Sequence, residues 1–278
     1  MKWSIIILIL VVIFLILILF NEEDITSYTT INPKISKDYL EATILDVGQG
    51  DAILLEEKEN SILIDCGPDK EKIEYELTKN LNEPKIELLI LTHAHADHVT
   101  GCLSVLKTHQ VDQIWYNGET YDSETYNEFL TLSKNKRQQV STNYQDFISN
   151  IELNILNPTK LTKSPNDNSI VLKATLGESS ILLTGDCEID CESNLQGDLT
   201  SEVLKIGHHG SSTSSTQLFL DRVNAKYYAI SVGKDNKYSH PNQETLTKLK
   251  SPYRTDINGD ILFKLFSNGD IIVKTEKT

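Results

Sequence analysis

Apolar residues along this chain come in two textures. The first is one dense run: Trp3 to Phe20 carries no charge and is almost entirely Ile, Leu, Val and Phe. At about 1.5 Å of rise per helical residue such a run nearly spans a bilayer core. Lys2 precedes it and Asn21-Glu22-Glu23-Asp24 follows it. That asymmetry keeps the short N-terminus in the cytoplasm and puts the remainder on the extracytoplasmic side of the membrane. No small-x-small cleavage site follows, so residues 1–20 are expected to persist as a transmembrane signal anchor; cleavage would instead give a secreted protein. Residues 21–39 are polar and read as a linker, and residues 40–278 as the working domain.

The second texture begins at Leu40, where short apolar runs alternate with turn residues. Ala42–Val47, Ala52–Glu56 and Ser61–Cys66 predict a β-meander. Asp69–Leu81 sets Ile73, Leu77 and Leu81 on one helical face. Ile86–Leu91 predicts a buried strand, Cys102–Lys107 a helix, Val111–Tyr116 a strand and residues 122–135 a helix. In the second half, strands are expected at Ile151–Leu156, Ser169–Leu176, Ser180–Thr184, Val203–Ile206 and Tyr227–Val232. Helices are expected at Ser215–Arg222 and, started after Pro241, at Asn242–Lys250. Short strands parted by the turn signals Asn258-Gly259 and Asn268-Gly269 close the chain. Meanders mixed with helices in two similar halves predict an α/β fold of two sheets packed face to face with helices outside.

Charge narrows the partners. The chain has a formal net charge of −14, and all 40 of its Asp and Glu follow Phe20. Such a surface aids solubility and opposes general adhesion to nucleic acid or anionic lipid, so an anionic substrate would need bound cations to offset the field. The four cysteines, Cys66, Cys102, Cys187 and Cys191, permit disulfides without forming a disulfide scaffold, and their pairing is not readable.

The chemistry concentrates after the Ile86–Leu91 run. Thr92-His93-Ala94-His95-Ala96-Asp97-His98 packs three of the chain's seven histidines and a carboxylate into a few residues. Imidazole and carboxylate form the ligand set of zinc, and suit iron or manganese as well. His93 and His95 alternate and point to one ion; Asp97 and His98 point to a second. Three distant places supply further ligands or proton carriers. Asp186 tips the apolar Leu182-Leu183-Thr184-Gly185 and has two oxygens to bridge a metal pair. Gly207-His208-His209-Gly210 follows a strand; spacing alone does not choose between its imidazoles, and His208 is assigned to the metal and His209 to proton donation. His240, in Tyr238-Ser239-His240-Pro241, is an acid candidate near the leaving group. Asp46 and Asp51 frame a tight turn that lines or braces the pocket. Asp65 is placed to hydrogen-bond a liganding histidine.

This set resembles the metallo-β-lactamase superfamily: His93-x-His95-x-Asp97-His98, then Thr184-Gly185-Asp186, then His208-His209-Gly210-Ser211. With Asp46-Val47-Gly48-Gln49-Gly50-Asp51, Asp65-Cys66-Gly67, Asn168-Ser169, His240-Pro241 and Asp256-x-Asn258-Gly259, it is similar to the hydrolase domain of ComEC-type competence proteins, the DNA-uptake channels. The resemblance implies an αββα four-layer sandwich with two divalent ions, zinc or manganese, at one edge of the sheets. It implies His93 and His95 on the first ion, Asp97, His98 and His208 on the second, and Asp186 between them. One departure from the wider superfamily stands out: no histidine lies between His109 and His208, where lactamases carry another ligand and this chain reads Asn166-Asp167-Asn168-Ser169. The first ion is therefore short of one imidazole.

The expected activity is metal-dependent hydrolysis, with a water acidified by the ions as nucleophile, Asp97 taking up the proton, and His209 or His240 protonating the leaving group. A phosphodiester, as in DNA, is the first substrate class. Hydrolysis of a lactam, lactone or thioester is the alternative reaction. A metal-stabilised binding module in an uptake complex is the non-enzymatic alternative.

Overall fold

The computed structural model describes residues 38–277. The expected anchor over 1–20 and the linker up to residue 37 lie outside the described residues. Among the described residues, no helix is long and apolar enough to cross a membrane.

The chain opens with the expected meander: β1 (Tyr39–Ile44), β2 (Ile53–Glu57) and β3 (Asn60–Ile64) pair antiparallel. Then the pairing turns parallel, through β4 (Lys85–Leu91), β5 (Gln110–Tyr116) and β6 (Arg137–Gln139). Parallel neighbours need crossovers. These are helices α1 (Lys70–Asn80), α2 (Ala96–Val99) with α3 (Cys102–Thr108), and α4 (Glu124–Leu132). The chain next builds a second sheet, antiparallel through β7 (Gln145–Ile148), β8 (Ile151–Asn157), β9 (Val171–Leu176) and β10 (Ser179–Leu183). It continues parallel through β11 (Val203–Lys205), β12 (Tyr227–Ile230) and β13 (Tyr253–Arg254). Again helices cross over: α5 (Ile189–Asn194), α6 (Gln217–Val223) and α7 (Gln243–Lys248). Finally β14 (Ile261–Phe266) and β15 (Ile271–Thr275) return to the first sheet beside β1.

Alternation along the strands fixes the layers. In β4, Leu88 and Ile90 enter the core shared by both sheets, while Ile86, Leu89 and Leu91 pack under the helices with Ile73, Leu77 and Phe129. Both faces are covered, which is why this strand reads as a continuous apolar run. The outer face of the second sheet is covered likewise by Cys191, Phe219, Leu220 and Leu249. Helix, sheet, sheet, helix is the four-layer sandwich that the resemblance implies.

Several details differ from the sequence reading. β6 is wholly polar, and β7, with only Phe147 and Ile148 apolar, is too short to stand out. Asn258-Gly259 ends a helical turn, Thr255–Asn258, and does not tip a hairpin; Asn268-Gly269 does, with Gly269 at φ +89°. Tyr253–Arg254 pairs with β12 and belongs to the second sheet, whereas the strands after it belong to the first.

Candidate metal centre

The carboxyl ends of β3, β4, β10, β11 and β12 gather at one edge, where open α/β sheets place their sites. At the end of β3, Asp65 lies in the left-handed region, φ +57°. Its carboxylate accepts from Thr92 N at 2.8 Å, from Thr92 Oγ1 at 2.7 Å, and faces His98 Nδ1 at 2.7 Å. It thus locks the start of the histidine segment to β3 and turns His98 Nε2 inward. A disulfide between Cys66 and Cys102 fastens the same two segments, and Gly101 is required there because a Cβ would sit 2.0 Å from Cys66 O.

The second sheet brings Asp186 into the middle. Asp186 Oδ2 lies 3.3 Å from His98 Nε2 and 3.8 Å from His93 Nε2, and Oδ1 lies 3.5 Å from His209 Nε2. His209 Nε2 is also 3.4 Å from Asp97 Oδ2. Two donor groups meet at Asp186: Asp97, His98, Asp186 and His209, and His93, His95 and Asp186, each with donor atoms within 4.8 Å of one another; a third, Asp51, Asp65 and His98, lies behind His98. His93 Nε2, His98 Nε2, His209 Nε2 and Asp186 Oδ1 are buried without hydrogen-bond partners. Buried polar atoms are normally satisfied. Four converging orphans of this chemistry fit a pair of divalent ions sharing Asp186.

Of the two glycine-flanked imidazoles, His209 and not His208 stands in the four-donor group. His208 and His209 both sit at positive φ, 48° and 53°, an arrangement costing about 1–3 kcal/mol per residue. His209 is turned inward: its Nδ1 meets Ser231 O at 2.9 Å and its Nε2 enters the four-donor group, so neither nitrogen is left to serve a leaving group. His208 stays at the rim, with Nε2 3.8 Å from Asp186 Oδ2 and Nδ1 3.1 Å from Glu188 Oε1. His240 lies beside it, their rings 5.6 Å apart. Asp46 is not in the pocket; its backbone N–H donates to Asp260 and its carboxylate meets Lys72 and Lys277.

Where lactamases carry the further histidine, Ser169 Oγ accepts from Asp186 N at 3.0 Å and lies 3.4 Å from His93 Nδ1. It braces two ligands and adds no donor to the first group. Sequence reasoning missed three other supports. Glu119 accepts from Ala94 N at 2.7 Å and from Asn168 Nδ2 at 3.1 Å, tying both sheets beneath the cluster. Glu188 backs His208. Lys205, fully buried, donates to Asp51 and to Gly185 O, so the ammonium neutralises the acid lying behind His209. Lys205 stands inside the motif before His208, but only the folded chain brings Asp51 to it.

Burial drives the titration of the cluster, and the carboxylates oppose it. Burial pushes the His93 and His95 imidazoles below their ordinary range. At His98 burial is outweighed by Asp186 and Asp65, and its pKa rises well above normal. At His209 burial is outweighed by Asp186, Asp51 and Asp97, and the value is pushed up to about 10. Burial likewise fails to protonate Asp186, which His209 and His98 hold ionised. The raised pKa values of His98 and His209 make protons compete with ions for both nitrogens. Loading at neutral pH is expected to release protons. Apparent affinity is expected to fall as pH falls from about 10, where His209 is half-protonated. Calorimetric titration in buffers of different ionisation enthalpy measures this; loading without proton release would contradict it.

Asp65 gives a second check. Partners that orient a liganding histidine typically contribute 10–100-fold in metal affinity. Asp65→Asn is expected to weaken the tighter site by about that factor, read by chelator competition; unchanged affinity would remove Asp65 from the centre.

An open cleft of about 330 Å³ leads to the cluster, lined by Gln49, His95, Asp97, Asp186, His208, His209, Tyr238 and His240.

Residues 45–234 match the sequence profile of the Metallo-beta-lactamase superfamily. ComE operon protein 3 of Bacillus subtilis is 30% identical over 261 residues, covering 81% of this chain and 33% of its own length. Competence protein ComA of Neisseria gonorrhoeae is 30% identical over 240 residues, covering 82% of this chain and 32% of its own. The chain spans about a third of the length of these curated relatives, which are competence proteins as the ComEC-type resemblance implies. Among solved structures, the metallo-beta-lactamase fold protein YhfI from Bacillus subtilis superposes with a TM-score of 0.56 at 13% identity, covering 82% of this chain and 100% of the other. That is a likeness of fold.

Proposed function

We propose, from the premise that this chain belongs to the metallo-beta-lactamase superfamily, that this superfamily hydrolase is a phosphodiesterase acting on nucleic acid. The observation that carries the reading is the convergence of unpartnered His93, His98 and His209 nitrogens on Asp186. Names of relatives in competence favour a nucleic-acid substrate, and ions at the cleft would offset the acidic field that otherwise repels one. Lactam, lactone and thioester hydrolysis is disfavoured by the three-donor first group.

In this reading His93, His95 and Asp186 would hold one ion, and Asp97, His98, Asp186 and His209 the other. Zinc or manganese there would supply Lewis acidity and lower the pKa of water. Asp97 remains partly open to the cleft; burial raises its pKa, but His209 and His98 prevail and keep it ionised. An ionised Asp97 suits a metal ligand, and a pKa held this low makes it a weak proton acceptor. His208, with Glu188 behind its Nδ1, is the group placed to donate a proton to the leaving oxygen. His240 is held neutral, since burial and the neighbouring His208 and His209 push its pKa down, and it serves substrate binding better than proton donation.

Location on the extracytoplasmic side of a membrane is part of the proposal. It is supported by the pairing of all four cysteines, Cys66 with Cys102 and Cys187 with Cys191, both beside metal-centre residues. Protein purified without reductant is expected to show no alkylatable thiol by intact mass; four free thiols would count against an oxidising location.

Purified protein with manganese or zinc is expected to hydrolyse bis-p-nitrophenyl phosphate and single-stranded DNA and to leave nitrocefin intact. A metal-loaded preparation that turns over neither phosphodiester would end this reading.

A further inference from the structure

The loop after β12 projects an aromatic surface over the cleft. Tyr238 is 52% exposed although it lines the pocket with Asp97 and Asp186. One face of its ring stacks on His240, with centroids 5.7 Å apart and planes 24° apart. His240 in turn meets the edge of His208 at 5.6 Å, and His208 Nε2 lies 3.8 Å from Asp186. The rings thus form a short stair from solvent to the metal centre. The Lys237 ammonium lies over the Tyr238 ring, 5.0 Å from its centroid, a local positive charge on an otherwise acidic protein; a ligand stacking on that face displaces it.

The loop is held in shape by one side chain. Asn236 donates to Gly233 O at 2.9 Å and His240 O at 2.7 Å, and accepts from Tyr238 N and His240 N, both at 3.1 Å. One amide therefore uses both donors and its oxygen to fix the backbone on each side of Tyr238. An exposed tyrosine of this kind gains little for folding: the residue keeps about half its surface in water, and burial is what stabilises. A preorganised aromatic with a cation beside it suits a planar ligand that carries a negative charge.

We propose that Tyr238, backed by His240, is a stacking platform for one unpaired base of a single-stranded nucleic acid whose scissile phosphodiester lies at the metal centre. This rests on the phosphodiesterase reading and adds the strand preference. A base inside a duplex has both faces covered and must be unstacked before it meets Tyr238, whereas a single strand offers bases freely. Displaced from the ring by the base, the Lys237 ammonium would be free to pair with the backbone of the same strand. Stacking is tolerant of sequence, so the platform selects strandedness and not base identity.

The test compares an oligothymidylate with an oligomer of equal length whose sugars are abasic tetrahydrofuran spacers. For the native protein, kcat/KM is expected to favour the base-bearing strand by about tenfold, within the range that one stacked base contributes. Tyr238→Ala is expected to erase that ratio, mainly through KM, and Tyr238→Phe to keep it. A binding readout avoids turnover: a single strand with central 2-aminopurine, mixed with metal-loaded protein and read by stopped flow before cleavage, is expected to be quenched by native protein and by Tyr238→Phe, and not by Tyr238→Ala. A ratio unchanged in Tyr238→Ala, or quenching that survives the substitution, overturns the platform. Native protein that binds metal and cleaves neither strand overturns the phosphodiesterase reading; the quenching then decides the platform by itself.

Discussion

Replacing Asp186 with alanine is expected to abolish hydrolysis while leaving the fold in place. Asp186 is the one residue common to both donor groups, with Oδ2 towards His98 and His93 and Oδ1 towards His209. Its loss removes a ligand from each ion and leaves His98 and His209 without the carboxylate that attracts cations to them. If bound ions supply several kcal/mol of transition-state stabilisation, their loss lowers turnover about a thousandfold or more. Circular dichroism should be unchanged, because the surrounding β10 and β11 core, Leu182, Leu183, Val203 and Leu204, is untouched. Turnover within tenfold of native would show that the reaction does not depend on the shared carboxylate.

The second large effect separates neighbours. His209→Ala is expected to lose the second ion and to reduce turnover about a thousandfold, since it removes one of four donors and leaves Asp51 and Lys205 facing an empty space. His208→Ala is expected to keep metal stoichiometry and to lose about a hundredfold in kcat, the usual contribution of a general acid. A leaving group that needs no proton, such as p-nitrophenolate, should lessen the His208→Ala effect and not that of His209→Ala. The opposite pattern, with metal lost from His208→Ala, would restore the assignment read from spacing.

That pair of histidines marks where sequence reading stops. The segment from His93 to His98 is legible because a buried strand precedes it and local spacing fixes which side chains converge. Asp65, Asp186 and the histidine pair lie 33, 88 and about 110 residues away from His98; residue chemistry named them as candidates and the resemblance joined them into one ligand set. Within the pair, orientation depends on two successive left-handed residues, which turn His209 inward and His208 outward; no spacing rule encodes that. The four layers were readable from alternation and from apolar runs covered on both faces. β6, wholly polar, and β7, with two apolar residues in four, were not, because their register is imposed by neighbours. Lys205 is invisible for a related reason: it sits in a strand as a fully buried charge, tolerable only because Asp51 reaches it from across the molecule. The cysteine pairing also depends on which loops meet at the sheet edge, and both pairs fall beside the metal centre.

The most direct measurement is metal content by elemental analysis during stepwise chelation, combined with anomalous diffraction from loaded crystals. Two ions per chain are expected, one on each side of Asp186, with the ion on His93 and His95 leaving first because its group has three donors against four. A protein that retains no divalent ion, or that binds ions away from Asp186, would contradict the centre described.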